Sequence, residues 1–355
     1  MKALSDSGGR ITHALLHTNS DGPLEPAAAI ITALPHTRFT MAGDAAAVER
    51  ARAILGPLTP SRNIHWLELD NPLSMWARDA FLVLTDSDGL LQLIENAPDE
   101  SNPDAAVPQP LASALGCAIA KSTVAFEGGN IVATDEFAVA GWDLLADNIT
   151  EWTDAGLEEA HDRVEAQLGL PTLIVGDEDV YPPAEHIDMI LTPLSGMQVL
   201  LGDPMLALGA LAALSPEALV EADTQFRSGP QESDAGLTEL MEFNATTDTL
   251  QAFELIRQQL TNAGCDVHRV PCLVTPSEYG QPMVSYNNVI VEFNAGKPRV
   301  LLPQYGIDAL DVSAVAVYET LGFEVTPIDM SSVRDLHGAV RCMVAVLARE
   351  PVALL

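Results

Sequence analysis

Five stretches of the chain repeat one order of events. An amphipathic helical pattern is followed by a glycine suited to a left-handed cap, then by a short apolar run rich in Val and Ile. They are AAAVERARAILGPLTPSRNIHWLEL (45–69), PLASALGCAIAKSTVAF (110–126), LEEAHDRVEAQLGLPTLIVG (157–176), TLQAFELIRQQLTNAGCDVHRVPCL (249–273) and VSAVAVYETLGFEVTPID (312–329). The units recur irregularly, about every 60 residues, which is an internal repeat but not a solenoid of identical modules. The expectation is one ring-like α/β domain over residues 1–355.

The residues after each unit carry polar groups beside a second strand-like run. They read NPLSMWARDAFLVL, FEGGNIV, HIDMILTPL, SYNNVIVEF and HGAVRCMV in turn. In a pseudo-symmetric ring such equivalent positions meet near one axis. Asp79, Glu127, His186, Asp188, Asn288 and Cys342 would then share a central site although they lie far apart in sequence.

Taken singly, each motif also has a structural explanation. His186 and Asp188, two apart on an expected strand, would point to one face as a base and a carboxylate, or form a surface pair. Glu127 precedes two glycines that permit close approach of a ligand or of another backbone, or simply make a tight turn. Arg78 and Asp79 stand beside Trp76 in an apolar context, where an unpaired charge is costly. Asn288 suits a turn. Cys342 reads as a small core residue or as a nucleophile.

Composition narrows the chemistry. With 48% hydrophobic residues and no biased tract, the chain is globular, and it carries no apolar run long enough for a signal peptide core or a membrane span. A cytoplasmic protein is expected. Cys117, Cys265, Cys272 and Cys342 have no CxxC spacing, so neither a zinc site nor a disulfide framework is suggested. The formal net charge of -33 argues against nucleic acid and fits a cationic ligand. Because Lys2, Lys121 and Lys297 are the only lysines, the same charge also fits solubility at high salt.

As a set and in this order, the motifs resemble the guanidino-group-modifying enzymes of the pentein superfamily, which include agmatine, arginine and peptidyl-arginine deiminases and dimethylarginine dimethylaminohydrolase. The resemblance runs over nearly the whole chain and implies a five-bladed, pseudo-fivefold α/β propeller with a central active site. WARDAF is similar to the family's W-x-R-D strand, implying Asp79 as a guanidinium-binding carboxylate with Trp76 beside it. FEGGNIV matches its EGG motif, and HID its H-x-D. These imply Glu127 in the catalytic group, His186 as acid/base and Asp188 as the second guanidinium carboxylate. SYNN places Asn288 in the pocket, and GAVRCM resembles the family's nucleophile loop, with Cys342 as nucleophile. Two departures stand out: of that loop's glycines only Gly338 is kept, with Ala339 and Val340 following, and Arg341 replaces the histidine usual in agmatine deiminases.

A guanidinium is planar and cationic, and its N–H fork matches carboxylates bidentately. Its central carbon is a poor electrophile, so attack calls for a thiolate, supported by His186, Arg341 or the substrate's own charge. The resemblance therefore implies hydrolytic deimination with no metal or organic cofactor. The partner would be a cationic guanidino small molecule or an arginine side chain. An amidinotransferase and a catalytically silent guanidino- or amine-binding protein remain alternatives, and a homo-oligomer stays open. A substrate carboxylate would need a cation, for which Arg341, Arg227 and Arg334 are candidates. Residues 220–243 are a candidate loop over the pocket.

Overall fold

The structure, a computed structural model, describes residues 1–58, 64–96, 102–178, 186–227, 236–274, 284–294, 296–333, 336 and 338–350. All five expected helix-to-strand units form. Their helices are Ala45–Leu55, Pro108–Leu115, Asp154–Leu168, Thr247–Asn262 and Asp308–Thr320. The apolar stripe is visible in each burial pattern, as where Ala160, Val164 and Leu168 are buried four residues apart. Gly116, Gly169, Gly264 and Gly322 follow their helices with positive φ. Gly56 does not: its φ is -54°, and the chain continues into the 3-10 turn Gly56–Leu58, where Pro57 has the φ such a turn needs.

The strands form five small sheets. Sheet 1 contains Phe81–Thr85, Leu91–Glu95 and Ala118–Lys121, with Lys2–Ala3 added at its edge. Sheet 2 contains Ile131–Ala133, Ala138–Gly141 and Thr172–Val175. Sheet 3 contains Leu191–Pro193, Gln198–Asp203, Asp266–Leu273 and Val284–Ser285, and sheet 4 contains Ile290–Asn294, Lys297–Gln304 and Glu324–Asp329. In sheet 5 the last strand, Val344–Glu350, pairs with Arg10–His17, which is followed by Arg38–Asp44 and Ile64–Leu69.

One plan underlies all five. An opening strand pairs antiparallel with the second, and a helical crossover then returns the chain to a third strand parallel to the second. The antiparallel pairing of Val344–Glu350 with Arg10–His17 joins the two ends of the chain within one sheet. Five sheets on this plan fit a five-blade arrangement.

The plan also explains where the polar motifs fall. In four of the five helix-to-strand units the closing strand also ends a sheet, and in sheet 3 the short Val284–Ser285 follows it, so the chain must then cross to the next sheet. Asp79, Glu127, Asp188, Asn288 and Cys342 lie on these crossings, two to four residues before the opening strands of sheets 1 to 5. Among the described residues, no helix is long and apolar enough to cross a membrane.

Candidate active site

The crossings bond to one another. Gly129 N donates to Asp79 Oδ1 at 2.8 Å, and Arg78 N donates to the Cys342 carbonyl at 3.1 Å. Glu127 Oε2 lies 2.5 Å from His186 Nε2. Asn288 Nδ2 donates to Cys342 Sγ at 3.1 Å, and Asp188 Oδ2 lies 3.9 Å from the same sulfur. The imidazole of His186 also stands close enough to the Cys342 side chain for each to shift the other's ionisation. Cys342, His186, Glu127, Asp188, Asn288 and Asp79 thus form one connected cluster.

Local backbone differs from the expected strands. WARD is a 3-10 turn, Ala77–Ala80, and after an extended His186 the segment Ile187–Met189 is another. The two side chains of the H-x-D pair consequently take different partners, His186 going to Glu127 and Asp188 to Arg341. The glycines after Glu127 are required by packing. A Cβ on Gly128 would lie 2.0 Å from the Arg78 carbonyl oxygen, and one on Gly129 would lie 2.5 Å from His186 Nδ1.

Asn288 acts on the cysteine loop. Its Oδ1 accepts from Arg341 N at 2.9 Å and from Cys342 N at 3.1 Å, which fixes the loop although only Gly338 of the usual glycines is kept. Gly338 itself lies against Trp76, whose ring would be 2.7 Å from an added Cβ. The SYNN turn is in turn tied down. Tyr305 Oη donates to the Ser285 carbonyl, Tyr318 Oη to that of Tyr286 and Thr192 Oγ1 to that of Asn287, at 2.7 to 2.8 Å. Ser285 Oγ donates to the Met189 carbonyl, joining this turn to the His186 crossing.

Arg341 is placed differently from the expectation that it reads a substrate carboxylate. Its guanidinium is buried, with Nη1 on Asp188 Oδ2 at 2.5 Å and Nη2 on both Asp6 Oδ1 and the Ile131 carbonyl at 2.9 Å. Arg227 pairs with Asp223 near the end of helix Pro216–Arg227, and Arg334 lies outside the described residues. Residues 220–243 contain the end of that helix and most of Leu237–Asn244, rather than one continuous loop, and 228–235 lie outside the described residues. Sequence reasoning missed Asp6. Its setting in SDSGGR reads as a turn, and nothing local signals a buried ion pair.

Burial and charge shift the key groups in opposite senses. Burial opposes protonation of His186, but the neighbouring Cys342 side chain, the bond to Glu127 and the charges of Asp79 and Asp188 outweigh it, so the imidazole is held well above its usual range. Glu127 is held low, first by its bond to His186. Burial, with the neighbouring charges of Asp188 and Glu127, pushes Asp79 up to about 6 against the opposing pull of His186. Burial and the charge of Asp188 push Cys342 up to about 11 despite the opposing effect of His186. Asp6 is held low although burial opposes this, because Arg341, Arg78 and the Ala133 N–H outweigh it. Asp188 Oδ1 and His186 Nδ1 are buried without a hydrogen-bond partner. The cluster therefore offers a thiol, an imidazole held by a carboxylate and an open carboxylate oxygen to a planar cation.

No family model and no curated protein matches the chain. Solved structures do match. The agmatine deiminase of C. jejuni superposes with a TM-score of 0.68 at 14% identity, covering 99% of this chain and 96% of that one. A cysteine-to-serine variant of the C. jejuni enzyme with substrate bound gives 0.67 at 12% identity, covering 99% and 97%. The agmatine deiminase of Enterococcus faecalis gives 0.65 at 13% identity, covering 98% and 96%. At these identities the likeness establishes the fold: the chain has the mixed α/β pentein fold of these deiminases over almost its full length.

Proposed function

We propose that this protein hydrolyses a guanidino compound to a ureido product and ammonia through a covalent adduct on Cys342. The observation that carries the reading is the convergence of five crossings, remote in sequence, on one cluster of thiol, imidazole, carboxylates and amide. The shared fold supports it, and the solved neighbours named above are agmatine deiminases.

In this reading the substrate guanidinium lies between Asp79 and the open Oδ1 of Asp188. A cation there offsets the carboxylate charge that raises the Cys342 thiol, so substrate binding itself favours the thiolate. The sulfur attacks the central carbon. Protonated His186, oriented by Glu127, gives its proton to the departing nitrogen, and ammonia leaves. His186 then takes a proton from water as that water attacks the amidino-thioether. The adduct collapses, carbon gains the oxygen, and the sulfur leaves as thiolate.

With Arg341 paired inward and Arg227 paired to Asp223, neither of the two candidate clamps among the described residues is free to hold an α-carboxylate. The substrate class we favour is therefore a guanidino amine such as agmatine. The test is Cys342→Ala. Agmatine should still bind by calorimetry, while ammonia release falls to background. Unchanged turnover in that variant ends the covalent reading.

A further inference from the structure

Arg341 stands in a buried row of alternating charge. On one side its Nη1 meets Asp188 Oδ2 at 2.5 Å. On the other its Nε and Nη2 meet Asp6 Oδ1 at 3.3 and 2.9 Å. Asp6 is itself fixed, since Oδ2 accepts from Ala133 N at 2.8 Å and its carbonyl accepts from Arg349 Nη2 at 2.8 Å. The row begins in the segment that precedes Arg10–His17 and ends at the carboxylate nearest Cys342 Sγ. Only Asp188 Oδ1 lacks a partner along it.

We propose that Asp6 and Arg341 are positioning residues that set the charge the pocket offers to substrate and to the thiol. Arg341 takes up one oxygen of Asp188 and part of its charge, leaving Oδ1 in a fixed orientation. Asp6 decides how much of the Arg341 charge remains for that task. The inference rests on reading Asp188 as a guanidinium carboxylate and Cys342 as the nucleophile.

Opposite signs follow from Coulomb's law. Asp6→Asn keeps the shape and removes an anion, so Arg341 acts more fully on Asp188. The thiol ionises more readily, and a cationic substrate binds less well. Arg341→Gln removes the cation, so the thiol ionises less readily. A merely structural role would loosen the site in both variants and move both the same way. The other groups acting on Cys342 are Asp79 and His186, with Tyr305 also nearby. Glu127 acts through His186, and Arg78 lies within the fields of Arg341, Asp6 and Asp188. None of these is altered, so the difference between variants reads the row.

The experiment alkylates the full-length protein with iodoacetamide between pH 6 and 10, following the Cys342 peptide by mass spectrometry. Steady-state kinetics with agmatine run in parallel. At pH 8, Asp6→Asn should be alkylated faster than wild type, and Arg341→Gln slower, by roughly threefold or more each. Arg341→Lys should return most of the way to wild type. In Asp6→Asn the KM should rise roughly tenfold, with kcat less affected. Shifts of the same sign in Asp6→Asn and Arg341→Gln, or no shift in either variant when folded, overturn the proposal. If the opposite shifts appear but wild type releases no ammonia from any guanidino compound, the charge row stands and the deiminase reading falls.

Discussion

The two glycines after Glu127 separate chemistry from stability. Neither has a left-handed φ, so substitution by alanine is a steric question only. In Gly129→Ala the new Cβ would sit 2.5 Å from His186 Nδ1 and 2.8 Å from Cγ of the same ring. Ordinary contact begins near 3.4 Å, so the ring must retreat by about 0.9 Å. A side chain can make that movement without disturbing the backbone, and the stability cost should stay below about 1 kcal/mol. Catalysis has no such tolerance, because a displacement on the order of 1 Å costs about a hundredfold in rate. Gly128→Ala differs, because its Cβ meets the Arg78 carbonyl oxygen at 2.0 Å and that oxygen belongs to the backbone. Overpacking of this kind should cost about 3 kcal/mol and lower Tm by roughly 4 °C in a chain of 355 residues. The assay pairs thermal unfolding with ammonia release from agmatine. Gly129→Ala should keep a near-native Tm and lose roughly a hundredfold in kcat. A Gly129→Ala protein with full kcat, or one destabilised as much as Gly128→Ala, would refute the assignment of His186 as the positioned acid/base.

Three further outcomes are expected. Because Asp79 is pushed up to about 6, well above an ordinary carboxyl, its contribution to stability is fully present below about pH 4 and is lost as pH rises through about 6. A guanidinium ligand favours the ionised form. The affinity of Cys342→Ala for agmatine, measured calorimetrically, should thus strengthen roughly tenfold from pH 5 to pH 8, and a flat profile would remove Asp79 from the binding site. Asn288→Ala leaves the buried Cys342 N–H without its acceptor and the Arg341 N–H with only the longer bond to the carbonyl of residue 288 at 3.3 Å, a cost of about 1 to 3 kcal/mol visible in urea unfolding; unchanged stability would mean the loop holds itself. With a formal net charge of -33, raising NaCl from about 0.1 M to about 1 M shortens the screening length from about 10 Å to about 3 Å and should raise Tm, whereas a fall would show that the anionic surface is not strained by self-repulsion.

The helix-to-strand units were legible because their signals are local. Apolar spacing, a glycine and a Val- or Ile-rich run are each read within about 25 residues. Only Gly56 departed from the pattern. The order of the motifs was legible too, since each falls where the chain leaves one sheet for the next. The turns themselves were less so. WARD and HIDM read as strands because their apolar neighbours are strands, yet both are 3-10 turns, which is how Asp188 reaches Arg341 while His186 reaches Glu127.

The sequence by itself determined the repeating α/β plan and the six polar side chains that meet between the sheets. What only the tertiary structure decided is the pairing among them. Asn288 holds the cysteine loop through two backbone N–H groups, and Arg341 turns inward to Asp6 and Asp188 rather than outward to a substrate. Those bonds join residues separated by 53 to 335 positions. Periodicity and propensity act over a few turns of chain, so they carry no information about which buried charge meets which. That choice is made when sheets 2, 3 and 5 come together around Arg341, where a guanidinium taken from water needs carboxylates and carbonyls within hydrogen-bond reach.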